Sequence, residues 1–337
     1  MNNYKVRVIV PCYNSDLTIE KCISSILNSK GVEFELYIVD DGNNNKLASI
    51  KNNYPINVIM TSGQEGAGRA RNIGTYNFDG EIVAFIDSDI QIHPDSLAYL
   101  IKPITENLAE ATVGSYSKPC SRNFFDNYKH FYLASRYNHK QTYLNNTFWS
   151  AICALDYRSF EKTNGFKECF SGAGPEDIDL GIELSLRGAR ILSVAQAKGI
   201  HLSEFSFKKL LNNDLRKGSE DIYIHWKRKV PIMQNRHVFK TDIFAVLLAC
   251  CTTLLFLFQY YLGYLPLLTA LLLYIIVRIS FVKNAFGRDG IIFLIRSFLL
   301  TFILDIIRGY AVIKGTFLFI LEILSSGKYK PFAKLIY

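Results

Sequence analysis

Short apolar runs alternate with helical patterns over the first third of the chain. Residues 6–10, 34–39, 57–60 and 82–86 are rich in β-branched and apolar side chains and predict four strands. Between the first two runs, apolar residues recur at helical spacing over residues 18–27. This alternation of strands and helices predicts an α/β fold with a mostly parallel central sheet.

The pattern changes at Asp242, where long apolar segments begin. Residues 243–262 and 265–282 are long enough to cross a hydrocarbon core, which takes about 20 residues. Residues 291–324 are apolar but contain charges, and they predict either a further span with an interfacial helix or two helices at the membrane surface. The sequence thus predicts an α/β domain at 1–225, a basic juxtamembrane linker at 226–241 and a membrane-anchoring helical region at 242–337.

Charge supports the membrane assignment. The net charge is +8, and basic residues flank the apolar region, with Lys227, Arg228 and Lys229 before it. This distribution favours a membrane over nucleic acid as the partner. The connection at 261–264 carries no charge, so the positive-inside rule places it outside. We expect a multi-pass protein of the cell (plasma) membrane whose α/β domain is cytoplasmic.

Polar clusters follow three of the predicted strands. They are Tyr13-Asn14-Ser15, Asp40-Asp41-Gly42 and Asp87-Ser88-Asp89. In parallel α/β sheets the ligand crevice lies at the carboxyl ends of strands, so these clusters should converge. The triplet offers two carboxylates suited to Mg²⁺ or Mn²⁺ beside a diphosphate. A lone D-x-D is weak evidence because acidic loop ends are common.

Several segments together resemble the motifs of family 2 glycosyltransferases of the GT-A fold. In chain order they are residues 8–14 (VIVPCYN), 40–42 (DDG), 68–74 (GRARNIG), 80–89 (GEIVAFIDSD), 165–166 (GF) and 176–180 (EDIDL). They fall in the family's order over about the first 205 residues. The resemblance implies a GT-A catalytic domain, followed here by transmembrane or interfacial α-helices.

The resemblance also implies roles for individual residues. Asp177, with Glu176 beside it, would be the catalytic base of an inverting transfer. The residues that would bind the nucleotide-sugar are Pro11, Tyr13, Asn14, Asp40, Asp41, Arg71, Asp87, Ser88 and Arg216. Of these, Arg71 would lie near the diphosphate or Asp87. The ligands of a divalent Mn²⁺ or Mg²⁺ ion would be Asp89, Asp87 and His201. The expected donor is a UDP- or GDP-sugar, and the expected acceptor is a hydroxyl of a lipid-linked or envelope glycan.

Simpler interpretations stand beside these roles. Asp40 and Asp41 are also turn formers before Gly42. Glu176 and Asp177 suit a first helical turn, where the helix dipole favours carboxylates and keeps a base ionised.

The segment around Arg216 resembles the Q-x-x-R-W element of processive synthases, but Asn and Lys replace Gln and Trp, which argues against a polysaccharide-threading synthase.

Three alternatives follow from other features. Residues 87–94 resemble the D-x-D-x-Q run of dolichyl-phosphate mannose synthases, which favours a polyprenyl-phosphate sugar synthase. A phosphate acceptor needs no base, so residues 176–180 favour a hydroxyl acceptor instead. A dinucleotide oxidoreductase is disfavoured because Arg71 replaces the third glycine of G-x-G-x-x-G. A non-enzymatic membrane scaffold does not account for the gathered carboxylates.

Overall fold

A computed structural model describes most of the chain, namely residues 4–42, 45–117, 123–137, 142–144, 148–170, 175–231 and 240–325, with residues 328 and 331. The chain divides into two compact units. The first comprises Met1–Arg122 and Arg136–Glu204, and the second comprises Asn123–Ser135 and Phe205–Pro331. Residues 205–225, which the sequence assigned to the α/β domain, therefore lie in the second unit with the C-terminal helices.

One sheet forms the centre of the first unit. Its strands are β1 (Val6–Cys12), β2 (Glu35–Asp40), β3 (Asn57–Met60), β4 (Ile82–Ile86), β5 (Ile90–Ile92), β6 (Ala111–Tyr116), β7 (Thr142–Leu144), β8 (Ile152–Asp156) and β9 (Ile191–His201). Their order is β3-β2-β1-β4-β8-β6-β9-β5, with β7 beside β9. The first four strands along the chain are the four predicted, and β3, β2, β1 and β4 are mutually parallel. Strands β5, β7 and β8 add antiparallel pairs.

Helices cover both faces of this sheet, and central strands such as β1 and β4 bury side chains on both sides. The helices are α1 (Ile19–Leu27), α2 (Asn45–Lys51), α3 (Ala67–Thr75), α4 (Ser96–Thr105), α6 (Tyr157–Lys162) and α7 (Glu176–Leu186). Side chains from α1, α2 and α4 join one apolar core, and side chains from α3, α6 and α7 join the other. Strand β4 is buried along its whole length between these two layers, which fixes the position of the triplet that follows it.

The second unit is helical. Its helices are α5 (Phe124–Tyr137, in this unit to residue 135), α8 (Phe207–Arg228), α9 (Lys240–Leu257), α10 (Gln259–Leu262), α11 (Tyr264–Val277) and α12 (Ile279–Leu324). Of the predicted linker, residues 226–228 close α8, and residues 232–239 lie outside the described residues. The segment 291–324, predicted as two elements, lies within the single helix α12.

Charged residues inside the apolar helices pair with one another. Arg278 contacts Asp305 at 2.6 Å and Asp242 at 2.7 Å. Arg308 contacts Asp305 at 2.8 Å and Asp214 at 2.5 Å. Because a buried charge is tolerated only when it is paired and hydrogen-bonded, this network explains the charges that interrupt the apolar sequence.

The described helices include one, Gly290–Leu324, that is long and apolar enough to cross a membrane. Helix α11 and residues 279–285 pass the same test only together, and they are bent by 64°. The predicted segment 243–262 is divided between α9 and α10, and the predicted segment 265–282 is broken at Arg278. The long apolar helix is consistent with a C-terminal membrane anchor, while the multi-pass arrangement stays a prediction.

Candidate active site

The sheet brings the polar clusters that follow β1, β2 and β4 to one edge. In the parallel register Cys12 lies opposite Asp40, and Pro11 lies opposite Val39. The amide of Asp41 donates to the carbonyl of Cys12 at 2.8 Å. The hydroxyls of Ser15 and Ser88 are 2.6 Å apart, which joins the loop after β1 to the triplet after β4. The predicted convergence at the carboxyl ends of the strands is therefore present.

A cavity of about 410 Å³ opens beside β1 and β2. Its lining residues come from the turns after these strands and from the loop after β3; they are Tyr13, Asn14, Asp41, Gly42, Ser62, Gly63 and Gln64. The Tyr13 side chain is 48% exposed and offers an aromatic face. A polar, open cavity with one aromatic wall suits a planar heterocycle with hydrogen-bonding edges.

The two aspartates after β2 have different partners. The Asp41 carboxylate accepts hydrogen bonds from the Thr61 hydroxyl at 2.7 Å and from the amides of Glu65 and Gly66, both at 2.8 Å. Asp41 therefore stabilises the loop that leads into α3. The Asp40 carboxylate accepts from the amide of Gly42 at 3.0 Å, in the turn-forming role that the sequence suggested.

Arg71 links the two acidic motifs. Its guanidinium donates to Asp87 Oδ1 at 2.7 Å and to Glu176 Oε1 at 3.3 Å, and it lies over the ring of Phe166. Burial alone would lower the pKa of Arg71, but the charges of Asp87 and Glu176 outweigh burial and raise this pKa. Arg71 thus stays cationic and neutralises part of the acidic cluster.

Asp177 lies in the first turn of α7 beside this link. Its charge also raises the pKa of Arg71, although by less than the charges of Asp87 and Glu176 do. Asp177 is half-buried, whereas the Glu176 side chain is 5% exposed and paired with Arg71. Asp177 Oδ1 accepts from the amide of Ile178 at 2.8 Å. Of these two carboxylates, Asp177 is the more accessible to a substrate.

Asp89 and His201 form a second cluster. Residues 90–92 of β5 pair with 199–201 of β9, so that His201 lies next to the triplet. His201 Nε2 is 3.4 Å from Asp89 Oδ2. His201 Nδ1 lies 3.2 Å from the carbonyl oxygen of Ser203; a carbonyl only accepts, so Nδ1 donates this hydrogen bond and Nε2 is the ring nitrogen on the side of Asp89.

Ser203 is a residue of this cluster that the sequence interpretation missed. Its hydroxyl donates to Asp89 Oδ2 at 2.8 Å, while its carbonyl orients His201. Metal-ligating side chains are commonly oriented by such outer partners. A polar residue two positions after the predicted histidine ligand is a signal too common to be recognised from sequence alone.

The donor set of this second cluster fits a divalent cation. A carboxylate oxygen and an imidazole nitrogen, which lie 3.4 Å apart here, are ligand types that suit Mn²⁺. Asp87 forms an ion pair with Arg71 at 2.7 Å, so Asp89 is the aspartate of the triplet that is better placed to bind a metal ion. Among the residues that the structure describes, no group of three or more His, Cys, Asp and Glu side chains is arranged for a metal.

Two buried cysteines lie near the triplet. Burial, together with the charges of Asp89 and Asp87, raises the pKa of Cys22 well above its usual value. Burial likewise raises the pKa of Cys153. Both therefore stay protonated at neutral pH and serve as core residues rather than nucleophiles.

Arg216, predicted to contact the diphosphate, belongs to the second unit. It lies on α8 and contacts Glu220, one turn along the same helix, at 3.2 Å. Its proposed contact with the nucleotide-sugar stays a prediction. The residues that the first unit assembles at the sheet edge are those from the loops after β1, β2, β4 and β9 and from α3 and α7.

Comparison with known proteins identifies the N-terminal region. Residues 7–163 match the model of glycosyl transferase family 2. The glycosyltransferase GlyA of Streptococcus pneumoniae is 36% identical over 116 residues, which are 33% of this chain and 17% of GlyA. The dolichol-phosphate mannosyltransferase of Pyrococcus furiosus is 30% identical over 116 residues, which are 33% of each chain. The chain spans less than half of the length of the curated relatives it matches.

A solved structure shares the fold. The mannosyltransferase PcManGT from Pyrobaculum calidifontis, in complex with GDP-Man and Mn²⁺, superimposes with a TM-score of 0.57 at 15% identity. The match covers 96% of this chain and 88% of that chain. The architecture is therefore a GT-A-like α/β fold, as the sequence motifs implied.

Proposed function

We propose that this chain, whose residues 7–163 form a glycosyl transferase family 2 domain, is a membrane-anchored, metal-dependent inverting glycosyltransferase. It moves a sugar from a UDP- or GDP-sugar to an acceptor hydroxyl. The observation that carries the proposal is the pair of contacts made by the buried Arg71. It joins Asp87 of the D-x-D triplet to Glu176, the neighbour of the candidate base Asp177. Three motifs separated by up to 105 residues therefore form one acidic site.

The two carboxylates at the start of α7 have different roles in the proposed reaction. Glu176 holds Arg71, and Asp177 accepts the proton of the acceptor hydroxyl. The acceptor oxygen then attacks the anomeric carbon from the face opposite the diphosphate. The bond from that carbon to the diphosphate oxygen breaks, and the nucleoside diphosphate leaves with the electron pair. Inversion follows from this single displacement, and no covalent enzyme intermediate forms.

The remaining residues bind the donor. The cavity beside Tyr13 and Asn14 takes the base, which stacks on the Tyr13 ring, and Asp40 accepts from the base or ribose. Ser88 of the triplet and Pro11 of β1 line the donor site at the same edge of the sheet. Asp89 and His201, with Asp87 nearby, are the groups that would hold Mn²⁺ or Mg²⁺, which would offset the charge of the departing diphosphate.

The C-terminal helices would keep the enzyme at the plasma membrane, with the family 2 domain on the cytoplasmic side. The apolar helix Gly290–Leu324 and the basic residues before α9 support this placement. Membrane attachment favours an acceptor that is itself membrane-bound, such as a lipid-linked glycan.

A polyprenyl-phosphate acceptor is the second candidate. It is favoured by the similarity to a dolichol-phosphate mannosyltransferase, 30% identical over 116 residues. A phosphate acceptor is ionised at neutral pH and needs no base, so the two candidates differ in their dependence on Asp177.

The experiment combines a donor screen with three variants. Membranes containing the full chain are incubated with UDP- and GDP-sugars and lipid extract, and products are identified by mass. Asp89→Ala is expected to abolish transfer, and Asp177→Asn is expected to lower its rate by at least about 10²-fold, the usual contribution of a general base. Asp95→Asn, an exposed aspartate six residues after Asp89, is the control and should retain activity.

The outcomes separate the candidates. Transfer to a phosphate lipid with Asp177→Asn still active would establish the polyprenyl-phosphate reaction. Near-native rates in both Asp89→Ala and Asp177→Asn would refute the assigned site. Absence of sugar transfer with every donor, from protein that still binds UDP or GDP, would argue against the hydroxyl and phosphate reactions alike.

A further inference from the structure

Helix α12 exposes one continuous apolar stripe. Its members recur every three or four residues along the exposed side, apart from one step of seven residues between Ile303 and Tyr310; they are Ile292, Ile295, Leu299, Ile303, Tyr310, Ile313, Phe317, Ile320 and Leu324. From first to last the stripe runs for about 48 Å at 1.5 Å per residue. A hydrocarbon core is only about 30 Å thick, so the stripe is too long to match a perpendicular crossing.

The opposite face of α12 is covered by α8. Arg308 of α12 contacts Asp214 of α8 at 2.5 Å. About four turns further on, Glu322 accepts from Tyr223 at 2.5 Å and from Lys227 at 3.1 Å. The two helices therefore run side by side over residues 308–322 of α12.

The two helices approach each other closely where glycine allows it. A Cβ added to Gly315 would lie 2.5 Å from the carbonyl oxygen of Ser219, and one added to Gly218 would lie 3.0 Å from Ala311. The contact is thus a packed helix pair rather than a chance approach of side chains.

Helix α8 is itself strongly polar. It carries six basic and three acidic side chains along 22 residues, and Lys208, Lys209 and Lys217 are exposed. Charged side chains of this kind are costly inside a hydrocarbon core. Since α8 stays in water or at the headgroups, the part of α12 packed against it stays at the same depth.

We infer that α12 lies in the plane of the membrane surface, with its apolar stripe in an anionic phospholipid bilayer and α8 on the water side. This inference rests on the membrane attachment proposed above and specifies its geometry. Arg296 and Lys314 support it, because they lie 18 residues apart, about five turns, and so flank the stripe on the same side. There they meet anionic headgroups.

The first test is cysteine labelling in sealed membrane vesicles. Arg296→Cys and Lys314→Cys are each introduced into the full chain, and labelling by a membrane-impermeant maleimide is compared with that of the parent chain. An in-plane helix predicts that both sites react from the cytoplasmic face, in inside-out vesicles, and that right-side-out vesicles show no labelling above the parent. Reaction of the two sites from opposite faces, or a site unreactive from either face but reactive after detergent, would overturn the inference.

The second test concerns the lipid. Purified full chain is mixed with phosphatidylcholine vesicles with or without phosphatidylglycerol, detergent is removed, and flotation measures the bound fraction. Lys314→Gln is expected to weaken partition onto anionic vesicles by about fivefold, the contribution of one basic residue near such a surface, and to leave partition onto neutral vesicles unchanged. Equal partition of the variant and parent onto anionic vesicles would refute the charge contribution. No binding to either vesicle would instead refute the membrane attachment itself.

Discussion

The buried contact between Arg71 and Glu176 allows a direct test of how the site is held together. Their side chains are 4% and 5% exposed, so neither charge is well hydrated. Arg71→Met leaves the Glu176 carboxylate buried without this partner, and breaking a buried pair in this way costs about 3–5 kcal/mol. Loss of the contact with the Phe166 ring adds about 0.5–2 kcal/mol.

The matched changes isolate the electrostatic part. Glu176→Gln keeps the shape of the side chain but removes its charge. In the double variant Arg71→Met/Glu176→Gln, no charge from this pair is left alone, so the loss should be smaller than the sum of the two single losses, by about 0.5–3 kcal/mol. Arg69→Met is the control: Arg69 is on the same helix but 49% exposed, and its partner Glu65 keeps hydrogen bonds from Ser62, so the loss should be smaller than in Arg71→Met.

The assay uses the two tryptophans of the chain. Trp149 lies in the first unit and Trp226 in the second, so a Trp226→Phe background makes fluorescence report unfolding of the first unit. Urea unfolding of the purified full chain is measured for each variant. Additive effects of Arg71→Met and Glu176→Gln, or a loss in Arg71→Met no greater than in Arg69→Met, would show that the two motifs are not coupled through this pair.

Three further predictions test other contacts. Ser203→Ala should weaken Mn²⁺ binding in the presence of UDP or GDP by about 10-fold or more, and Ser203→Thr should restore it. Titration followed by electron paramagnetic resonance measures both affinities. An Mn²⁺ affinity of Ser203→Ala equal to that of the parent chain would exclude a positioning role for Ser203. Gly315→Ala should destabilise the helical unit by about 1–3 kcal/mol through overpacking, whereas the uncrowded Gly287→Ala should not, and thermal unfolding in detergent compares them. Burial lowers the pKa of His225, but the hydrogen bond and charge of Asp221 outweigh burial and raise this pKa. The His225–Asp221 pair therefore stabilises the folded protein fully below about pH 6.5, the usual pKa of histidine, and this stabilisation is lost as pH rises through the folded pKa. Asp221→Asn should therefore destabilise most in acid and least in alkali, and a constant difference across pH would contradict this.

Local pattern was sufficient for the first four strands and for the order of the motifs, but not for the bounds of the C-terminal helices. Apolar strands such as Ile82–Ile86 are buried on both faces, and this requirement is visible in the sequence itself. Because parallel strands end at a common edge, the sequence also predicted that residues after Cys12, Asp40 and Ile86 would meet. The long apolar C-terminal segments were equally apparent, since their composition alone separates them from the α/β region.

The tertiary structure decided what each polar residue does. Arg71 was expected near the diphosphate or Asp87; the structure pairs it with Asp87, and its buried contact with Glu176 adds a role in joining two motifs. The Asp41 carboxylate accepts from three groups 20 to 25 residues away, and Ser203 reaches Asp89 across 114 residues. Such partners are set by chain topology and side-chain packing, which no local pattern specifies.

The same distinction applies to the C-terminal helices. The sequence determined that residues 291–324 are apolar and carry charges, but it left open whether they cross the membrane. Only the folded chain shows that Arg308 and Glu322 face α8 while an apolar stripe remains on the other side. The reason is physical: a charge in an apolar segment is costly when it meets lipid and tolerated when it meets a partner, and the partner is supplied by another part of the fold.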